Sequence, residues 1–357
     1  MRRTDRALTV AVLLAAVALA CAPPPVVARA PIQLALLPGP IPAAPPERWL
    51  GLIGEYDDQG RTFYVAERDG RLAIGDSTRR FSPLVEAGSS MFAMDDPFRT
   101  RDHSGEGVLR FERDGDGRAT VLHFGERTLT RRNIEPRAGT NQLRVTPVRP
   151  VAELRAEALA ASPPVEPAAA RAPDLVELVR LDPTIRLEVR YATTNNFLGE
   201  RFYDQARAFL QRPAAEAVVR ANESLRPLGY GLLVHDAYRP WYVTKMFWDA
   251  TPADKHWLVA NPAEGSKHNR GAAIDLTLFD LATGQPVEMP STYDESTDRA
   301  FADYPGGTSR QRWYPALLHR AMVAQGFIQN PSEWWHYDYQ SWRDYAIGNL
   351  AFDRIGR

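Results

Sequence analysis

The sequence predicts two units in tandem, a small all-β barrel or sandwich followed by an α+β domain built on an antiparallel sheet. Residues 49–132 consist of short alternating runs broken by Asp-Gly turns, the pattern of hairpin-linked strands. From residue 174 onward, strand-like and helix-like segments intermingle, as in α+β folds. Two short motifs in that second region concentrate the ionisable chemistry: Ser266-Lys267-His268-Asn269-Arg270-Gly271-Ala272-Ala273-Ile274-Asp275 and Glu333-Trp334-Trp335-His336.

The 357 residues allow about two domains, and an apolar fraction of 44% is enough for real cores. With 43 basic and 44 acidic residues the charge is balanced, which gives no footprint for nucleic acid. Cys21 is the only cysteine, so no intrachain disulfide forms. Arg2, Arg3 and Arg6 precede an apolar run over 7–20, and Ala18-Leu19-Ala20 leads into Cys21. A basic start, a short apolar stretch and a small-residue exit predict a signal peptide over 1–20. The run falls short of the roughly 20 residues a membrane span needs. A cysteine at this place resembles the lipobox of bacterial lipoproteins, which implies lipidation of Cys21 and an exported, periplasmic or envelope location on a lipid anchor. Ala18 and Leu19 depart from the usual lipobox, leaving ordinary cleavage there or after Ala28-Arg29-Ala30 as the alternative.

Taken in order, residues 22–48 are rich in Pro and Ala and read as a tether. In 49–132, strands are predicted at 61–67 and 71–75 around Asp69-Gly70, and at 107–113 and 119–124 around 114–117. This region resembles the small β-domain appended to some secreted serine hydrolases of the β-lactamase type. That resemblance implies a fold and no function, and the region is expected to be dispensable for chemistry. Asp114-Gly115-Asp116-Gly117 lacks the remainder of a calcium loop, because Val121 and Leu122 continue as a strand. His103 and His123 have no ligand types beside them. Residues 133–173 read as a second linker containing a short helix at 151–161. The second domain spans 174–357, with strands at 185–191 and 231–236 and helices at 214–225, 241–249 and 311–325.

Alternation in 273–278 puts Asp275 on the face opposite Ile274, Leu276 and Leu278. Gly271 lets the chain turn between His268 and that strand. Two His and one Asp leave a tetrahedral zinc an open position for water, the catalytic arrangement, so one Zn2+ per chain is expected. Glu333, placed on the approach to the strand that begins near His336, is then available as a general base. Trp334-Trp335 are expected to form a dry wall beside it.

These residues carry a family resemblance. The second domain resembles the zinc-dependent D-alanyl-D-alanine dipeptidases, through 190–199, Asp236-Ala237-Tyr238-Arg239-Pro240-Trp241 and the two motifs above. The two motifs alone are shared with D,D-carboxypeptidases and peptidoglycan endopeptidases. The resemblance implies that His268, Asp275 and His336 bind zinc and that Glu333 is the general base and acid. It implies that Arg239 stabilises the oxyanion, that Asp294 holds the substrate ammonium, and that Ser266 lies near the substrate's C-terminal end. Arg239 read on its own pairs with Asp236, and Ser266 caps a turn. The expected substrate is D-Ala-D-Ala or a related cell-wall dipeptide. Trimming of longer peptidoglycan stems is the alternative of the same chemistry, and a non-catalytic envelope lipoprotein the alternative of another class.

Overall fold

The computed structural model describes residues 37–95, 107–134 and 143–356; Cys21, the signal segment and His103 lie outside the described residues. Eight strands follow one another in the first region: β1 (Gly54–Asp58), β2 (Arg61–Arg68), β3 (Arg71–Asp76), β4 (Phe81–Gly88), β5 (Met91–Met94), β6 (Val108–Arg113), β7 (Ala119–Phe124) and β8 (Arg127–Arg131). Each pairs antiparallel with the next, and β1 also pairs with β8 to close a barrel. Asp69 and Gly70 both take positive φ, 51° and 79°, the condition for the tight turn whose twist matches the strands it joins. Along β6, Leu109 and Phe111 point inward while Arg110 and Glu112 face out. An eight-stranded barrel is just wide enough to be filled by side chains, and Tyr56, Phe63, Leu72, Phe92, Phe111 and Leu122 fill this one. The Asp114 carboxylate accepts from the backbone N–H of Asp116 and Arg118, so it closes its own turn.

The second region contributes β9 (Leu175–Glu177), β10 (Arg186–Leu187), β11 (Phe209–Gln211), β12 (Tyr230–Asp236), β13 (Ala273–Asp280), β14 (Phe327–Gln329) and β15 (His336–Tyr339). Its main helices are α1 (Val151–Ala160), α2 (Arg212–Leu225), α3 (Trp241–Ala250) and α4 (Ser309–Val323). The central sheet has the order β10-β12-β13-β15-β14, and β9 pairs with β11 apart from it. All contacts in the central sheet are antiparallel except β10–β12, which is parallel. The antiparallel expectation therefore fails at one edge, because the chain travels from β10 to β12 through α2 and returns in the same direction.

The described residues of the segments expected as tether and linker are packed instead. Gly39, Pro42 and Leu37 offer carbonyls to Trp313, Arg310 and Arg320 of α4. From residue 143 the second of them belongs to the α+β core: Leu154 and Ala158 of α1 are fully buried, and Glu166 bonds Arg270 and the Ile347 N–H. Pro-rich composition signalled the lack of repeating structure, and isolated apolar side chains decided the packing.

The barrel is also joined closely to the second region. Tyr304 donates to Glu55 at 2.9 Å, Ser309 N–H to the Glu67 carboxylate at 2.7 Å, and Arg68 to the Pro305 carbonyl at 2.8 Å. The Glu67 carboxylate thereby sits at the N-terminus of α4, where the helix dipole favours negative charge.

Candidate active site

His268 opens a single 3-10 turn that Gly271 ends at φ 64°, and a side chain there would overlap Leu175. Asp275 lies on β13 and His336 is the first residue of β15, the two being direct cross-strand partners. Glu333 stands three residues earlier, in the turn outside the ladder. The fold thus brings together His268 Nε2, Asp275 Oδ1 and His336 Nδ1, with separations of 2.9, 3.2 and 3.5 Å. Ligand bonds of about 2.0–2.1 Å on a tetrahedral zinc put ligand atoms about 3.3 Å apart, so the triangle fits that ion.

The remaining atoms of these residues are held elsewhere. His268 Nδ1 donates to the Ala237 carbonyl at 2.7 Å, and His336 Nε2 to Asp338 at 2.9 Å. With those outer nitrogens bonded, each imidazole can present its other nitrogen, free of a proton, to a bound cation at the centre. Tyr293 donates to Asp275 Oδ2 at 2.9 Å, leaving Oδ1 for a cation. Burial works against charge on His336, yet hydrogen bonds to Asp275 and Asp338 push its imidazole up to about 10. Burial would likewise raise Asp275, but the charges and hydrogen bonds of His268 and His336 hold it well below the usual carboxylate range. Such a field favours a positive charge at this point, which a bound metal ion would supply.

The triad lines a cavity of about 620 Å³, together with Glu333, Arg239, Ser266, Asp294, Tyr191 and Trp335. The Glu333 carboxylate lies 3.7 Å from His336 Nδ1 and accepts from Asn330 at 2.9 Å. Arg239 is buried, bonds Asp236 through Nε and Nη2 at 3.0 and 2.7 Å, and lies over the rings of Tyr191 and Phe247. Neither bond uses Nη1. The Asp236 pairing thus fixes a guanidinium on the cavity wall and does not compete with a role there. Asp294 takes φ 60° and accepts from the Tyr191 hydroxyl at 2.8 Å. Burial is the main cause that pushes its carboxyl up to about 8, aided by the charge of Asp275 and opposed by Tyr191 and Arg239. Ser266 Oγ accepts the His268 N–H at 3.2 Å, so it caps the ligand turn while lining the cavity. Of the two tryptophans only Trp335 lines the cavity; Trp334 is buried behind it, edge-on at 5.3 Å.

Against this geometry, the family described as D-ala-D-ala dipeptidase matches residues 171–347. The chain is 33% identical over 174 residues to the D-alanyl-D-alanine dipeptidase of Escherichia coli (strain K12), covering 49% of this chain and 89% of that protein. The chain belongs to the D-alanyl-D-alanine dipeptidase family. Other members of the family are similarly close. The Enterococcus faecium D-alanyl-D-alanine dipeptidase is 33% identical over 187 residues (47% of this chain, 91% of that protein). That of Streptomyces coelicolor is 33% identical over 174 residues (43% and 85%). The family match begins after the barrel and after α1, so both lie outside the matched residues.

Several residues that shape the site escaped the sequence reading. Asp338 had a signal, since two residues past His336 in a strand is the same face. It also pairs with Lys267, tying the two motifs together. Tyr293 and Tyr191 gave no such sign. Leu143 reaches the cavity from a segment with no periodicity. The other described histidines stay outside this cluster: His235 is buried and stacked on Tyr293, and His256 stacks on Trp248. His123 pairs with Glu112, and His319 bonds Gln329.

Proposed function

We infer that this protein is a metal-dependent dipeptidase that hydrolyses D-alanyl-D-alanine or a closely similar dipeptide in cell-wall metabolism, with zinc held by His268, Asp275 and His336. The observation that carries the reading is one cavity shared by three convergent ligand atoms, the Glu333 carboxylate, the Arg239 guanidinium and the Asp294 carboxyl. Bound zinc supplies Lewis-acid polarisation of the carbonyl and acidifies water. Glu333 accepts a proton from the attacking water. As the C–N bond breaks, Glu333 passes that proton to the departing amine, so one water is added across the peptide bond. Arg239, always charged and already oriented by Asp236, stabilises the negative oxygen that develops on the scissile carbonyl. Asp294 pairs with the substrate ammonium by a charge-assisted hydrogen bond, and Ser266 stands at the C-terminal end of the substrate.

Export and anchoring at Cys21 are part of this reading and rest on residues 1–21 alone. They favour turnover of wall-derived dipeptide outside the cytoplasm. The test is D-alanine release by purified protein from D-Ala-D-Ala and from N-acetyl-D-Ala-D-Ala, before and after chelation and after zinc is restored. The expected result is chelator-sensitive cleavage, at least tenfold faster for the free dipeptide. Equal cleavage of the acetylated substrate or of a stem pentapeptide would replace the dipeptidase with a D,D-carboxypeptidase.

A further inference from the structure

The turn carrying Glu333 is anchored on both sides to one other segment. Ala302 N–H donates to the Pro331 carbonyl at 3.0 Å, and Trp334 N–H to the Ala300 carbonyl at 2.8 Å. Glu333 lies between those two anchor points. The anchoring segment, 298–308, has little regular structure, and its Asp298, Ala300 and Phe301 line the cavity.

Two carbonyls and two side chains of that segment are bonded by the barrel. The Gly307 carbonyl accepts from Glu67 N–H at 3.1 Å, and the Pro305 carbonyl from Arg68 at 2.8 Å. Asp303 pairs with Arg79 at 2.6 Å. At the centre, the nearly buried Tyr304 donates to Glu55, itself 1% exposed and paired with Arg132 at 2.6 Å. The Tyr304 ring packs edge-on against Tyr64 of β2 at 5.9 Å, and a side chain at Gly306 would overlap its hydroxyl. Backbone groups that bond outward cannot hold a loop by themselves once those partners leave.

We propose that the barrel sets the position of the catalytic base: Glu55 and Tyr304 are positioning residues that act on Glu333 through 300–304 and its two hydrogen bonds to the 331–334 turn. The barrel is then a working part of the hydrolase, contrary to the expectation that chemistry needs only the second domain. The inference rests on the dipeptidase reading and on Glu333 as base. A displacement of about 1 Å in a catalytic group can cost about a hundredfold in rate, so a partial loosening is expected to cost less.

The experiment compares full-length wild type, Tyr304→Phe and Tyr304→Ala in D-Ala-D-Ala turnover and metal content. Tyr304→Ala, which empties the slot, is expected to lower kcat about tenfold with KM within twofold and metal content unchanged. Tyr304→Phe keeps the ring against Tyr64 and loses only the bond to Glu55; about a threefold fall in kcat is expected. Should Tyr304→Ala not fold, Tyr304→Phe decides alone. Unchanged kcat in the folded variants, a rise in KM alone, or loss of metal would each overturn the proposal. Absence of turnover in the wild type would instead defeat the dipeptidase reading.

Discussion

In the barrel, Leu72, Leu109, Leu122 and Leu129 meet in an apolar interior, and the buried charged residues among those described, Glu55 and Glu67, both face the second domain. In the second domain, Asp236, Arg239, His268, Asp275 and Asp338 are all nearly excluded from water; Arg239, His268 and Asp275 line one cavity, with Asp236 bonded behind Arg239 and Asp338 behind His336. Both regions enclose ample aromatic and aliphatic side chains, so hydrophobic burial does not distinguish them. Buried charge does. A charged group away from water is tolerated only when partners satisfy it, and such groups therefore mark surfaces where something must be held. In the barrel that something is the neighbouring domain; in the sheet, on the proposed reading, it is a metal and a substrate.

The sharpest contrast is obtained by removing one group from each region. Glu333→Ala is expected to keep its metal and lose about 10²–10⁴-fold in kcat, because proton transfer is removed while the ligands stay. Metal analysis beside steady-state kinetics checks it, and near-normal turnover would place the base elsewhere. Leu122→Ala, fully buried inside the barrel, is expected to cost about 2–5 kcal/mol of barrel stability in denaturant titration with metal content unchanged. A metal-depleted Leu122→Ala protein would show that the two cores are not separate.

Asp338→Ala tests whether charge around the sheet site serves the metal. It removes the acceptor of His336 Nε2, and metal affinity is expected to fall about 10–100-fold in a chelator competition. Unaltered affinity would reduce Asp338 to a partner of Lys267.

The smallest expected effect concerns Asp294, whose carboxyl is pushed up to about 8. Below that pH the free protein holds it protonated, and pairing with an ammonium requires loss of the proton. For D-Ala-D-Ala, kcat/KM should therefore rise with pH toward about 8, then fall as the substrate amine, an α-amino group of pKa about 8, loses its charge. Asp294→Asn is expected to remove the acid limb and most of the roughly tenfold preference over the acetylated dipeptide. Because the folded pKa lies above the unfolded one, the folded state binds the extra proton, and stability falls as pH rises between the two values. Melting curves across that range should lose this slope in Asp294→Asn.

Much of the second domain was legible because its chemistry is local. Alternation over 273–278 placed Asp275, and the few residues between Glu333 and His336 placed a carboxylate beside a ligand. The strands around Asp69-Gly70 were legible from turn chemistry, since both residues must take positive φ. The strand expected at 185–191 is present as the short β10, but its parallel pairing was not legible, because that depends on how the chain crosses over α2. Leu143 and Glu166 were hidden in a Pro- and Ala-rich stretch whose composition describes backbone habit and says nothing of what a single side chain meets.

The sequence by itself determined the ligand types, the turn that separates His268 from Asp275 and the strand face that Asp275 occupies, because period, glycine and side-chain chemistry act over a few residues. Only the tertiary structure decided that Asp275 faces His336 across the ladder, that Asp338 and Tyr293 bond those two residues, and that a barrel stands behind the segment that anchors the Glu333 turn. Those are contacts between residues far apart in the chain. They follow from strand register and domain docking, which the whole packed molecule sets together.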